Sequence, residues 1–73
     1  MNWNKFPEVH PPSDLYERYI VTAKFCKGTI ENLITYIIVC EALFYSNYWT
    51  SPGGSLITDQ VIAWMPFPEP FKE

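Results

Sequence analysis

Apolar and polar side chains alternate through residues 15–27. Tyr19, Val21, Ala23 and Phe25 fall on one side, and Arg18, Ile20, Thr22, Lys24 and Cys26 on the other. A period of two predicts a strand with one covered face. Lys27-Gly28 then offers a two-residue turn, because glycine takes a positive φ without steric cost. Beyond it, Thr29, Ile30, Ile34, Thr35, Ile37, Ile38 and Val39 are β-branched, which favours a second strand. A turn at 27–28 pairs Phe25 with Ile30, Val21 with Ile34 and Tyr19 with Tyr36, and sets Lys24 against Glu31, a favourable cross-strand charge pair. A helix competes over 29–45. Ile30, Leu33, Ile34, Ile37, Ile38 and Phe44 also fit a 3.6-residue stripe, with Glu41 near its middle. The strand is the preferred reading.

Residues 43–50, Leu-Phe-Tyr-Ser-Asn-Tyr-Trp-Thr, read as continuing extended, and Ser51-Pro52-Gly53-Gly54-Ser55 is the clearest loop. Residues 56–65 read as a last strand, its apolar centre Val61-Ile62-Ala63-Trp64-Met65 short enough to be covered on both faces. Pro66, Pro68 and Pro70 end it, since they cannot donate to a ladder, and carry Phe67 and Phe71 on a stiff tail. Residues 1–14 read as an irregular arm, with Pro7, Pro11 and Pro12 favouring extended backbone, Ser13-Asp14 a turn cap, and Trp3 and Phe6 as packing anchors. The expected fold is mainly β (or α+β): one domain over 1–73, with an irregular Pro-rich N-terminal arm (1–14), a small antiparallel sheet of three to four strands (15–65) and a Pro-rich C-terminal tail (66–73). No internal repeat is visible.

Composition changes this picture in one respect. Hydrophobic residues make up 48% of the 73 and aromatic residues 18%, against 18% charged. A chain this short buries little more than half of its unfolded surface, so part of the apolar content must lie outside, where contiguous apolar surface marks an interface. Phe44, Tyr45, Tyr48 and Trp49 are the first candidates for that surface, with Phe67 and Phe71 on the tail next. They imply a homo-oligomer, a partner protein or a flat ligand.

Charge and chemistry narrow the class. The net charge is −3, and the five basic residues, Lys5, Arg18, Lys24, Lys27 and Lys72, are scattered, which argues against nonspecific nucleic-acid binding. Leu33 to Tyr45 is too short and too interrupted to span a bilayer, and Met1 to Lys5 has no apolar run of the secretory kind. The expected location is the cytoplasm of a host bacterial cell, away from membranes. Cys26 and Cys40 lack metal-ligand spacing and read as small apolar groups, unpaired with each other. His10 is the single histidine. Glu8 with His10 lacks an accompanying nucleophile, and Pro52-Gly53-Gly54 lacks the Lys and Ser/Thr of a phosphate loop. The expectation is a non-enzyme without metal or cofactor.

One stretch carries a resemblance. Thr58-Asp59-Gln60-Val61-Ile62-Ala63-Trp64-Met65-Pro66-Phe67-Pro68-Glu69-Pro70 resembles the C-terminus of a family of small phage and prophage proteins grouped as a domain of unknown function. Those end on Trp-Met-Pro-Leu-Pro-Glu-Pro, often after Thr-Asp-x-Val-Ile-Ala. Phe67 stands where leucine is usual. Trp3, Phe6-Pro7-Glu8 and Tyr19-Ile20-Val21-Thr22 look like counterparts of the family's N-terminal half, while residues 37–55 depart in length and aromatic content. The resemblance implies a phage accessory protein rather than a virion part. Such a protein would act as a non-catalytic inhibitor of a host protein, for example in immunity of the CRISPR kind. Alternatives are a sponge that sequesters a nucleotide signal, with Tyr45, Tyr48 and Trp49 stacking on bases, and a structural or assembly protein.

Overall fold

The computed structural model describes residues 2–12 and 17–68. Among them the regular structure is all strand: β1 (Asn4–Lys5), β2 (Glu17–Gly28), β3 (Leu33–Tyr45), β4 (Tyr48–Thr50) and β5 (Val61–Pro66). They form one antiparallel sheet in the order β1-β5-β2-β3-β4. The mainly β expectation holds, with five strands rather than three to four. The competing helix over 29–45 is replaced by β3.

The β2–β3 hairpin dominates the sheet. Its turn is not Lys27-Gly28 but the four residues 29–32, where the Asn32 amide donates to the Thr29 carbonyl (3.1 Å) and approaches Oγ1 of Thr29 (3.3 Å). Gly28 (φ +111°) enters this turn, and any Cβ there would collide with the Asn32 carbonyl oxygen. Phe25 therefore faces Tyr36, Val21 faces Cys40 and Tyr19 faces Ala42. Lys24 meets Ile37, so the expected pair with Glu31 is not made. The displacement along β3 is even, so the covered side of each strand is unchanged. An ion pair forms elsewhere, diagonally, between Arg18 Nη1 and the Glu41 carboxylate at 3.2 Å.

Residues 43–50 do not continue straight. Ser46 (φ 54°) and Asn47 (φ 68°) occupy the left-handed region and reverse the chain between Tyr45 and Tyr48. The Ser51–Ser55 loop is confirmed, closed by the Ser51 amide donating to the Ser55 carbonyl (2.8 Å) and the Gly54 amide to the Ser51 carbonyl (2.9 Å). Residues 57–60 make a further turn against β4, with the Trp49 amide donating to Thr58 Oγ1 at 2.9 Å. The last strand thus starts at Val61 instead of residue 56. It is not covered on both faces, since Ile62 is exposed. Ile62 is the extra residue of a bulge, because Thr22 faces Ala63 while Ala23 faces Val61. The bulge lets Val61 and Trp64 point to the same side.

That side holds the core: Tyr19, Val21, Ala42, Phe44, Trp49, Ile57, Val61 and Trp64. The rings meet edge-on or tilted, Tyr19–Trp64 at 5.1 Å, Phe44–Trp49 at 4.7 Å and Tyr19–Trp49 at 5.9 Å between centroids, the geometry the ring quadrupole prefers. The N-terminal arm lies over them. Phe6 contacts Trp49 (5.8 Å) and Phe44 (6.2 Å), and His10 packs on Phe6 (4.8 Å). Trp64 Nε1 donates to the Val9 carbonyl at 2.7 Å and pins the arm. Phe6 is an anchor as expected, while Trp3 packs outside the core and keeps about a third of its surface exposed. The arm is less irregular than its prolines imply, since β1 pairs with β5.

Candidate interaction surface

The sheet is wide at one end only. β5 reaches β2 at Tyr19–Ala23, and β4 reaches β3 at Leu43–Tyr45. Beyond β5, Lys24–Gly28 and Leu33–Ile37 continue as a two-stranded ribbon with no other strand beside them among the described residues, and the outer edge of β3 stays open as far as Ala42. A strand rises about 3.3 Å per residue, so this extension accounts for a long axis of 49 Å against 30 and 24 Å.

The β3 strand of the ribbon is apolar and exposed on both faces, while β2 adds the exposed Lys24 and Lys27. Ile30 at its tip is 99% accessible, and Leu33, Ile34, Ile37 and Val39 are each more than half accessible. Tyr36 and Ile38 are also exposed. Local packing is thin: Phe25 stacks on Tyr36 at 5.8 Å, the Lys27 ammonium sits 5.9 Å from the Tyr36 ring, and Cys26 Sγ lies 3.6 Å from Thr35 Oγ1. From Leu33 to Ala42 the one charged residue is Glu41, engaged by Arg18, and there is no proline. Exposed edges ordinarily carry lysine, proline or a bulge to block pairing.

The aromatic candidates separate. Phe44 and Trp49 are fully buried and belong to the core, so their place on an interaction surface is withdrawn. They lie on the same side as Tyr19 and Val21, and the arm closes over them. Tyr45 and Tyr48 are exposed and face each other across the β3–β4 turn. Phe67 is exposed, and Phe71 lies outside the described residues. Sequence reasoning passed over Leu33, Ile34, Tyr36, Ile37, Ile38 and Val39 as surface residues. The available signal was chain length: β2 and β3 outrun every other strand that could cover them.

Other chemistry is sparse. Both cysteines are free, Cys40 facing Val21 and Cys26 facing Thr35, and burial pushes the Cys40 thiol pKa up. The Tyr19 phenol is also raised, first by burial, then by the charge of Glu17 and the hydrogen bond to it. Among the described residues no three His, Cys, Asp or Glu side chains gather as a metal site would require, and no helix is long and apolar enough to cross a membrane. A recess lined by Arg18, Glu41, Ala42, Leu43 and Pro52 has its two charges paired with each other. No family model, curated protein or solved structure matches the chain.

Proposed function

We propose that this protein acts without catalysis, by binding another polypeptide through the β2–β3 ribbon. The observation that carries the reading is the ribbon itself, a hairpin whose β3 strand is apolar on both faces and extends beyond the core. Two strands alone are marginally stable in water, and apolar patches of this kind mark binding surfaces. The resemblance of residues 58–70 to small phage and prophage proteins supports a host protein as the target. On that reading the chain is an accessory inhibitor of host machinery or immunity.

The test compares immobilised protein with variants Ile30→Asp and Ile34→Asp in bacterial lysate. Both positions lie outside the core, so folding is retained. The expected result is a discrete host protein held by the parent chain and lost from both variants. Capture that is indifferent to both substitutions, or release of a nucleotide in place of a protein, would overturn the proposal.

A further inference from the structure

The geometry points to a second copy of this chain as an occupant of the ribbon, paired edge to edge and antiparallel through β3. The inference builds on the reading of the ribbon as a polypeptide-binding surface and concerns its edge.

The direction of the backbone groups comes first. The Lys24 amide donates to the Gln60 carbonyl at 2.8 Å, on the β5 side. Its cross-strand neighbour Ile37 therefore turns its own amide and carbonyl away from β2, toward the free edge, because antiparallel pairs alternate between bonded and non-bonded. By the same alternation Leu33, Thr35, Val39 and Glu41 also present their backbone groups outward. β4 occupies this edge from Leu43 onward, so the open stretch ends at Ala42.

A two-fold axis perpendicular to the sheet makes such an edge self-complementary, since an isologous contact sets each patch against its own copy. Only one register pairs the whole open stretch without running into β4. Ile37 lies opposite the second copy's Ile37, Thr35 opposite Val39, and Leu33 opposite Glu41. Between these, Tyr36 faces Ile38 and Ile34 faces Cys40. Tyr–Ile is a favourable aromatic–β-branched pair and occurs twice, and no like charges meet. The axis keeps the two cores on the same side of a continuous sheet, and the ribbon becomes four-stranded where it had two. Pairing along Leu33–Glu41 would cover part of the exposed side chains of Leu33, Tyr36, Ile37, Ile38 and Val39 and leaves Ile30 at the tip outside the contact.

Sedimentation equilibrium of the full chain at micromolar concentrations tests this, alongside Ile37→Lys, which sets two like charges opposite each other at the axis. Near-UV circular dichroism of the buried tryptophans verifies that the variant is folded. The expected result is twice the 8.6 kDa chain mass for the parent and a dissociation constant raised on the order of a hundredfold for the variant. Ile37→Cys in a background of Cys26→Ser and Cys40→Ser should form an interchain disulfide, the Cα atoms being about 5.5 Å apart. Val39→Cys should not, since the two copies of that position are about 13 Å apart along the strand. A monomeric parent, an Ile37→Lys variant that dimerises as well as the parent, or equal cross-linking at both positions overturns the inference. A monomer that still captures a host protein through Ile30 and Ile34 overturns this dimer and leaves the proposed function standing. A dimer that captures nothing does the reverse.

Discussion

Tyr48 and Trp49 are adjacent in sequence and should respond to truncation in opposite ways. Trp49 is fully buried, with Phe44, Phe6 and Tyr19 around it at 4.7, 5.8 and 5.9 Å between centroids. Its indole Nε1 is buried without a hydrogen-bond partner among the described residues, so truncation forfeits packing and no hydrogen bond. Removing a buried tryptophan side chain costs about 3–5 kcal/mol. A 73-residue chain has a total stability of roughly 4–11 kcal/mol, so Trp49→Ala should be largely unfolded at modest urea. Tyr48 is 57% exposed, and Tyr48→Ala should stay within about 0.5 kcal/mol of the parent. Trp49→Phe, which keeps a ring in place, should fall between, at about 1–2 kcal/mol. The assay is urea unfolding followed by far-UV circular dichroism, at one fixed protein concentration because association shifts apparent stability. Equal losses for Tyr48→Ala and Trp49→Ala, or a Trp49→Ala variant as stable as the parent, would refute the assignment of the core.

Gly28→Ala should cost about 1–3 kcal/mol of local stability, because the residue sits at φ +111° with the Asn32 carbonyl where a Cβ would go. Hydrogen exchange should quicken at residues 25–28 and 33–36 while amides of the core strands stay protected. Trp64→Phe removes the bond to the Val9 carbonyl, about 1 kcal/mol, and part of the packing on Tyr19, and should cost about 2–3 kcal/mol in all, read as faster exchange in residues 5–9. Tyr19 has a folded pKa above its ordinary 10.0, so the folded state favours the neutral phenol. Its contribution is complete below pH 10 and is lost as pH rises through the folded value. Melting temperature should therefore fall above pH 10, and less steeply in Tyr19→Phe.

The sheet was legible in the sequence where one face is covered. Tyr19, Val21 and Ala23 alternate with Arg18, Ile20, Thr22 and Lys24, three of them polar, and β2 follows that alternation. The turn was misplaced because Gly28 does supply a positive φ, but as the entry to a four-residue turn closed by Thr29 and Asn32. Face parity cannot detect this error, since an even displacement leaves every side chain on the same side. The reversal at Ser46-Asn47 was hidden by its neighbours. Asparagine tolerates the left-handed region, yet the aromatics on both sides suggested continuous strand. β1 was invisible, because a two-residue strand has no periodicity to read.

The surplus of apolar residues was correctly inferred, but its location only in part: Tyr45, Tyr48 and Phe67 are exposed, Phe44 and Trp49 are buried, and the aliphatic residues of β3 were passed over. Aromatic residues draw attention as interface anchors, whereas in so small a chain they are also the side chains that fill the most core per residue. Phe44, Trp49, Trp64 and Tyr19 fill it by meeting edge-on under an arm that brings Phe6. With that volume supplied, the sheet face near β5 and β4 is filled, and among the described residues no further strand covers the far half of β2 and β3. The excess then falls on aliphatic, β-branched residues, which hold an extended backbone through local sterics. A strand that stays extended, carries apolar side chains on both faces and has one charge, already paired, along its free edge has the properties of a central strand while standing at the margin. The proposed second copy would supply the neighbour that such a strand ordinarily has.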